Sequence, residues 1–176
     1  MTATIQQVDE SFVAENLSAI RDLLNEAYEG EFSEEDWLHT FGGARFIGLI
    51  DREIVAHGAV IARDFMINSQ ARRVGYLEGV AVSVRHQGIG IGSQLLLSMS
   101  EFAASEYPVS MLSTDEFEFY SRFGWNRFKG KSGVLLDDSL TLTPDEDNGL
   151  MYLPGKAGFP EEIHSAYCDA REGDDW

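Results

Sequence analysis

The residues whose spacing points most directly to chemistry form the run Arg-His-Gln-Gly-Ile-Gly-Ile-Gly at residues 85–92. The run separates a strand-like segment from a helix-like one, so we expect several backbone N–H groups at the helix start to lack partners. Such groups form a phosphate site, and glycines let the ligand approach the backbone. Two common phosphate-binding patterns are excluded, because the run contains neither the Gly-Lys-Ser/Thr of a nucleoside triphosphate loop nor G-x-G-x-x-G. The pattern that remains is Arg-x-x-Gly-x-Gly. The alternative is an ordinary strand-to-helix turn.

The segments on either side of this loop favour the phosphate interpretation. A β-rich run at residues 74–82 ends just before the loop, and Gly75 and Gly79 interrupt it as they would a bulged or closely approached strand. From Gly92 onward, apolar residues recur at helical spacing for about three turns. The sequence therefore predicts a strand, a glycine loop and a helix in the order that such a site needs.

The Arg-x-x-Gly-x-Gly pattern resembles the pyrophosphate loop of the GCN5-related N-acetyltransferases, which implies acetylation of an amine. Two side chains are candidates for the proton transfers of this reaction. This reaction needs a base for the ammonium proton, donors to the carbonyl oxygen and an acid for the departing thiolate. Glu78 is the candidate base because glutamate is disfavoured in apolar strands, and the alternative is an exposed strand acid. Tyr120 is the candidate acid because a phenol keeps its proton at pH 7, and the alternative is a packing tyrosine. Backbone N–H groups at a bulge around Gly79 and Val80 would bind the oxyanion.

The charge of the chain restricts its partners. Thirteen basic and thirty acidic residues give a formal net charge of −17, which argues against nucleic acid and anionic membrane. The acids cluster at residues 29–36, 137–147 and 169–175. A polycationic substrate would explain these clusters, and the alternative is a surface that serves solubility. The four histidines lie apart without ligand spacing, so we expect no metal site.

Length and composition predict one soluble domain over residues 1–176. No apolar run approaches the roughly 18 residues of a membrane span, and the N-terminus lacks a secretion pattern. The single cysteine, Cys168, agrees with a reducing compartment, so we expect a cytoplasmic protein. Periodicity predicts strands at residues 5–8, 46–50, 54–65, 72–82, 109–112, 126–129, 133–136, 150–153 and 163–169, and helices at 12–28, 33–40, 117–123 and from 92.

Four separated segments of the chain resemble the aminoglycoside 2′-N-acetyltransferases of the GCN5-related N-acetyltransferase (GNAT) superfamily. The resemblance implies the GNAT acyl-CoA N-acyltransferase fold, an α/β (α+β) fold with a mostly antiparallel mixed sheet that is splayed between two strands and flanked by helices. It also implies acetyl-CoA as cosubstrate and a homodimer. The segments are residues 30–37 with Gly42-Gly43, residues 75–82, Leu112-Ser113 with Tyr120 and Gly124-Trp125, and the acidic tail at residues 168–176, which ends in tryptophan.

The resemblance also implies roles for individual residues. Glu78 matches the carboxylate that deprotonates the substrate amine through water, and Tyr120 matches the general acid. The other matching residues bind the two substrates, with an acidic partner for each ammonium group that leaves water. Acetyl-CoA would contact Val80, Ala81, Val82, Arg85, His86, Gln87, Gly88, Ile89, Gly90 and Ser113, and the aminoglycoside would contact Glu31, Asp36, Glu78, Glu146, Asp174 and Trp176.

The resemblance therefore implies an acetyl-CoA-dependent enzyme that acetylates the 2′-amine of aminoglycosides and causes antibiotic resistance. Glu31 and Glu146 stand where aspartate is common in the family, and Ala44-Arg45 replaces the usual Met-His. These departures leave the preferred aminoglycoside open, from gentamicin to the smaller kasugamycin. The alternatives are acetylation of another polyamine or amino sugar, and a non-catalytic acyl-CoA-binding sensor.

Overall fold

The structure is a computed structural model that describes residues 3–159 and 162–176. Its elements follow the predicted order closely. The helices are α1 (Glu10–Glu15), α2 (Leu17–Ala27), α3 (Glu34–His39), α4 (Ile91–Glu106) and α5 (Phe117–Ser121), with a 3₁₀ turn at Val84–His86; the strands are β1 (Thr4–Val8), β2 (Gly43–Ile50), β3 (Glu53–Ile67), β4 (Gln70–Val82), β5 (Val109–Ser113), β6 (Asn126–Arg127), β7 (Lys131–Leu136), β8 (Ser139–Leu142), β9 (Leu150–Pro154) and β10 (Ser165–Asp169).

The chain divides into two compact units. The N-terminal unit comprises Met1–Ile61 and Leu77–Met99, and the C-terminal unit comprises Ala62–Tyr76 and Ser100–Trp176. β3, β4 and α4 each continue from one unit into the other. The single domain predicted over residues 1–176 remains a prediction, and residues 1, 2, 160 and 161 lie outside the described part of it.

The strands pair in both directions, as the predicted fold class requires. In the N-terminal unit β1, β2 and β3 pair antiparallel. In the C-terminal unit the strand order is β6-β9-β5-β4-β3-β10-β7-β8. There β4 pairs with β5 and β10 pairs with β7 in parallel, whereas β10–β3, β5–β9, β6–β9 and β7–β8 are antiparallel. A mostly antiparallel mixed sheet with flanking helices confirms the predicted α/β fold class.

Local side-chain hydrogen bonds set the helix boundaries of the N-terminal unit. The segment predicted as one helix at 12–28 is two helices, because Asn16 lies between them and its Nδ2 donates to the carbonyl of Phe12 at 2.9 Å. The predicted capping box of α3 is present: Ser33 Oγ accepts from the Asp36 amide at 3.0 Å, and Asp36 Oδ2 accepts from the Ser33 amide at 2.8 Å. Apolar faces of α1, α2 and α3 pack with β2 and β4 through Val13, Ile20, Leu24, Trp37, Ile47 and Ala81.

One strand of the C-terminal unit was not predicted. β8 at Ser139–Leu142 pairs with β7, and all four of its residues are exposed. Its residues Ser-Leu-Thr-Leu alternate polar and apolar types, which is a strand pattern, but the run is only four residues long. No helix in the described part of the chain is both long and apolar enough to cross a membrane.

Candidate functional site

A bulge in β4 places the candidate base on the surface of the N-terminal unit. Gly79 has φ +57°, a left-handed conformation that side chains other than glycine rarely adopt. A Cβ on Gly79 would lie 3.0 Å from Thr40 Cγ2 and 3.2 Å from His57 Cε1. The bulge therefore requires glycine, and it leaves Glu78 and Val80 on either side half-buried.

Tyr28, which the sequence did not indicate as a site residue, lies beside this bulge. Its hydroxyl donates to the carbonyl oxygen of Val80 at 3.2 Å. Desolvation of the hydroxyl, then the negative charges of Glu78 and Asp36, raise the pKa of Tyr28 to about 12. Two predicted site carboxylates thus lie near one neutral hydroxyl donor. The available signal was the position of Tyr28 at the end of α2, three residues before Glu31.

Two buried polar side chains lie behind the bulge, and the sequence did not indicate either as a site residue. His57 has no exposed surface, and its Nδ1 lies 2.6 Å from the carbonyl oxygen of Gly79. Arg45 Nη1 lies 2.7 Å from His57 Nε2. Burial lowers the pKa of His57 to about 3, partly offset by the hydrogen bond with Gly79 and reinforced by the Arg45 charge. His57 is therefore neutral at physiological pH.

The predicted phosphate loop has the expected geometry. After the 3₁₀ turn at Val84–His86, Gly88 and Gly90 have φ +76° and +91°, and nothing lies within 4 Å of where their Cβ atoms would be. α4 begins at Ile91, and the Gln94 amide donates to the carbonyl of Gly90 at 3.1 Å. The amides of the first helical turn before Gln94 are therefore outside the helical hydrogen-bond pattern and can bind an anion.

The arginine of this loop forms an ion pair with a surface acid. Arg85 Nη2 lies 2.8 Å from Glu53 Oε1, and the side chains are 72% and 49% exposed. Such an exposed pair contributes at most about 1 kcal/mol, so a pyrophosphate could readily replace Glu53 as its partner. In the same loop Gln87 Nε2 donates to the carbonyl of Val82 at 3.1 Å, which ties the loop to the end of β4.

The other predicted site residues of the N-terminal unit lie on its surface. Ile89 and Glu31 are exposed, and Asp36 is half-buried. The Asp36 carboxylate already accepts the capping-box hydrogen bond from Ser33, so only part of its acceptor capacity remains for a ligand. Ala81 is buried and packs in the core, which leaves its backbone as the group that could contact a cosubstrate.

In the C-terminal unit, Tyr120, the candidate acid, packs in a cluster of aromatic side chains. It is 9% exposed on α5, and its ring lies edge-on to Phe119 and Trp125 at centroid distances of 5.3 and 6.3 Å. Trp125 Nε1 donates to Ser100 Oγ at 2.9 Å and holds the cluster in place. Ser113 is exposed at the end of β5.

Three predicted substrate-binding residues of the C-terminal unit come together at the tail. Desolvation, then the charges of Asp174 and Asp145, raise the pKa of Glu146, so these carboxylates lie close to one another. Trp176 is buried; its amide donates to Asp174 Oδ1 at 3.0 Å, and its Nε1 donates to Thr143 Oγ1 at 3.1 Å. Adjacent carboxylates, of which Glu146 is partly desolvated, are suited to an ammonium group.

The tail is anchored by a buried arginine. Arg63 donates to the carbonyl oxygens of Asp169 and Asp175 at 2.9 and 2.7 Å, and to Asp169 Oδ1 at 3.1 Å. The single thiol, Cys168, is buried next to it, and desolvation raises the pKa of Cys168 to about 11. Cys168 is thus protonated and unreactive at neutral pH. Within residues 3–159 and 162–176, no group of three or more His, Cys, Asp or Glu side chains could hold a metal ion.

A mixed sheet with a bulged strand, a glycine loop and a helix start that faces the loop defines an N-acyltransferase. A family model described as "Acetyltransferase (GNAT) domain" matches residues 11–128. The chain belongs to the GNAT family of N-acetyltransferases. It is 31% identical over 169 residues to a Mycolicibacterium fortuitum protein named aminoglycoside 2′-N-acetyltransferase, an alignment that covers 92% of this chain and 86% of that protein.

Solved structures agree on the fold. The GNAT family N-acetyltransferase YhbS of Escherichia coli, solved in complex with CoA, is 15% identical with a TM-score of 0.67, and the match covers 96% of this chain and 90% of that one. A GNAT family acetyltransferase of Brucella melitensis, solved in complex with acetyl-CoA, is 15% identical with a TM-score of 0.64, covering 97% and 96%. At these identities the likeness supports the fold alone.

Proposed function

We propose that the chain transfers the acetyl group of acetyl-CoA to the 2′-amine of aminoglycosides. The observation that carries this proposal is the Tyr28 hydroxyl, which donates to the Val80 carbonyl beside Glu78 at 3.2 Å and whose pKa is raised partly by the charges of Glu78 and Asp36. A cationic amine that enters this site would meet both a base and a charge partner. The relative from M. fortuitum, which carries the name of this activity, supports the choice of substrate class.

The loop after β4 is the proposed site for the pyrophosphate of acetyl-CoA. The free first-turn amides of α4, the open space at Gly88 and Gly90, and the exposed Arg85 fit a doubly charged anion. Val80 and Val82 would offer backbone groups to the acetyl and pantetheine portions, with contacts from His86, Gln87, Ile89 and Ser113. Two solved structures of the same fold contain CoA and acetyl-CoA, which supports the choice of cosubstrate but not of individual residues.

The proposed reaction is direct attack on the thioester. Glu78 accepts the proton of the 2′-ammonium through water, and the neutral nitrogen then forms a bond to the thioester carbonyl carbon. The carbon–sulfur bond breaks, and Tyr120 donates its proton to the departing thiolate. The nitrogen loses its second proton as the amide forms; this proton passes through water to the Tyr120 phenolate, and Glu78 releases the first proton to solvent. Glu31, Glu146 and Asp174 pair with the remaining ammonium groups of the antibiotic, and Trp176 contacts it. No metal takes part in this scheme.

Thiol release in a substrate panel tests the proposal. Purified protein should release CoA thiol from acetyl-CoA when gentamicin or kasugamycin is present, with little background because Cys168 is buried. Release with spermidine but with neither antibiotic would identify a different acetyltransferase. Binding of acetyl-CoA without release with any amine would identify a sensor.

The proposal extends to the setting of the enzyme. Acetylation removes a positive charge that the drug needs on acidic ribosomal RNA, so the enzyme would confer antibiotic resistance. Expression in a sensitive strain should raise the inhibitory concentration of the accepted drug. We further propose a cytoplasmic homodimer, which fractionation and sedimentation would test.

A further inference from the structure

Arg45 and His57, the buried pair behind the β4 bulge, have no role in the chemistry described so far. Arg45 is 2% exposed, and its guanidinium lies 4.9 Å from the Trp37 ring centroid and 4.7 Å from that of Phe41. Its Nη2 donates to the carbonyl of Thr40 at 3.1 Å, while its Nε is buried without a hydrogen-bond partner. Burying a guanidinium against an imidazole costs more than burying an apolar side chain. Stability alone therefore does not explain the pair.

The pair determines which nitrogen of His57 carries the proton. A guanidinium only donates hydrogen bonds, so His57 Nε2, 2.7 Å from Arg45 Nη1, must accept. The proton of the neutral imidazole is then on Nδ1, which donates to the carbonyl oxygen of Gly79 at 2.6 Å. Arg45 thus converts His57 into a fixed donor to the bulge.

This donor sets the direction of the peptide between Gly79 and Val80. In a trans peptide the carbonyl and the following N–H point in opposite directions. With the Gly79 carbonyl held toward the buried His57, the Val80 N–H points away from it. On its other side the Val80 carbonyl accepts from Tyr28, so the residue is held by hydrogen bonds at both of its peptide units.

We infer that His57 and Arg45 are positioning residues of acetyl transfer: through the Gly79–Val80 peptide they aim the Val80 N–H at the carbonyl oxygen of the thioester. The inference rests on the proposed function, because it needs acetyl-CoA at β4. A preorganised donor stabilises the oxyanion most when it need not reorient during the reaction. Neither residue touches the reacting atoms, and CoA lacks the thioester carbonyl, so their loss should lower turnover without weakening CoA binding.

Imidazole NMR of the ligand-free protein tests the first step. With ¹⁵N-labelled histidine, His57 should show a single tautomer protonated at Nδ1. Arg45→Met, which removes the donor to Nε2, should populate the tautomer protonated at Nε2, and Arg45→Lys should restore the original one. Protonation at Nε2 in the wild type would overturn the inference without involving acetyl-CoA.

Isotope-edited infrared spectroscopy tests the second step. The ¹³C=O band of [1-¹³C]acetyl-CoA should move to lower frequency on binding to the wild type, since a donated hydrogen bond weakens the carbonyl bond. His57→Leu should lose this shift, and His57→Asn should keep it, because the asparagine amide can replace Nδ1 as donor. Ile47→Ala, which alters the buried partner of His57 in the β2–β3 register, is the control for lowered stability and should also keep the shift.

Turnover separates positioning from packing. In His57→Leu the kcat should fall about 10-fold or more, while the Kd of CoA from calorimetry stays within about twofold, and His57→Asn should recover most of the kcat. An unchanged band shift in His57→Leu, or a parallel loss of CoA affinity and kcat, would overturn the inference. If acetyl-CoA binds and shows the shift but no aminoglycoside is acetylated, the substrate proposal fails and the positioning role stands.

Discussion

At the scale of single residues, the site combines a carboxylate with a hydroxyl donor that does not titrate. The two side chains have different proposed tasks. Glu78 must accept and release a proton during the reaction, whereas Tyr28 must keep its proton. Because the pKa of Tyr28 is raised to about 12, its hydroxyl donates to Val80 throughout the pH range of enzyme assays. We therefore expect substitutions of Glu78 and of Tyr28 to change the pH dependence of activity in different ways.

Glu78→Gln should lower kcat/KM most strongly at low pH. A base is needed while the acceptor amine is protonated, and it is needed less as rising pH neutralises the amine. The Kd of CoA should not change, because the loop at residues 85–90 is untouched. The measurement is a pH–rate profile between pH 6 and 9.5, with the exposed Glu101→Gln as control. A uniform loss at every pH would assign Glu78 to substrate binding alone.

Tyr28→Phe should reduce kcat by a constant factor at all these pH values. The variant loses one hydrogen bond to the Val80 carbonyl, worth about 1 kcal/mol or roughly fivefold. The control is Tyr167→Phe, a half-buried tyrosine in β10. A deficit that grows with pH between 6 and 9.5 would show that the hydroxyl exchanges a proton during turnover.

At the scale of elements, the proposed site depends on the irregular part of β4. A regular strand would satisfy its amides in the ladder, whereas the left-handed Gly79 turns one peptide out of it. His57 on β3 and Tyr28 at the end of α2 then hold the turned backbone from two elements. The bulge is thus built by three segments that are distant in sequence.

Gly79→Ala should impair catalysis more than its loss of stability explains. The left-handed conformation costs a non-glycine residue about 1–2 kcal/mol, and the methyl group would press on Thr40 and His57. Relief of both strains requires the bulge to move, so kcat should fall while the protein stays folded. Gly158→Ala is the matched control, since Gly158 has φ +77° and open space around it. Equal activities in the two variants would show that the bulge geometry is irrelevant.

At the scale of the whole molecule, acid stability depends on the neutral state of His57. Its folded pKa of about 3 lies below its ordinary value of 6.5, so the unfolded chain binds the extra proton between these values. The contribution to stability is complete above about pH 6.5 and declines as pH falls toward 3, by at most about 1.4 kcal/mol per pH unit.

His57→Asn should remove this part of the acid dependence. Between pH 7.5 and pH 5 the free energy of unfolding of the wild type should fall by about 2 kcal/mol more than that of the variant. Urea unfolding at the two pH values gives the difference, and the exposed His164→Asn is the control. The same pH dependence in wild type and His57→Asn would mean that folded His57 is already protonated at pH 5.

The sequence by itself determined the features that depend on neighbours within a few residues. The order of strand, glycine loop and helix, the capping box at Ser33 and Asp36, and most strands followed from spacing and residue type. The break at Asn16 did not, because a side-chain hydrogen bond leaves no periodic signal. The exposed β8 was missed although its four residues alternate polar and apolar types, because so short an alternation is weak evidence for a strand. Of the predicted site, only the phosphate loop has this local character.

Only the tertiary structure decided how the remaining site residues meet. Tyr28 reaches Val80 across 52 positions, and His57 reaches Gly79 across 22. Such contacts depend on strand register and on which helix end lies over which strand, and a shift of one residue would turn each side chain to the other face. The residue types suggested acetyl transfer. Long-range packing determines the direction of the Gly79–Val80 peptide, whose N–H we infer to be the donor to the thioester carbonyl oxygen.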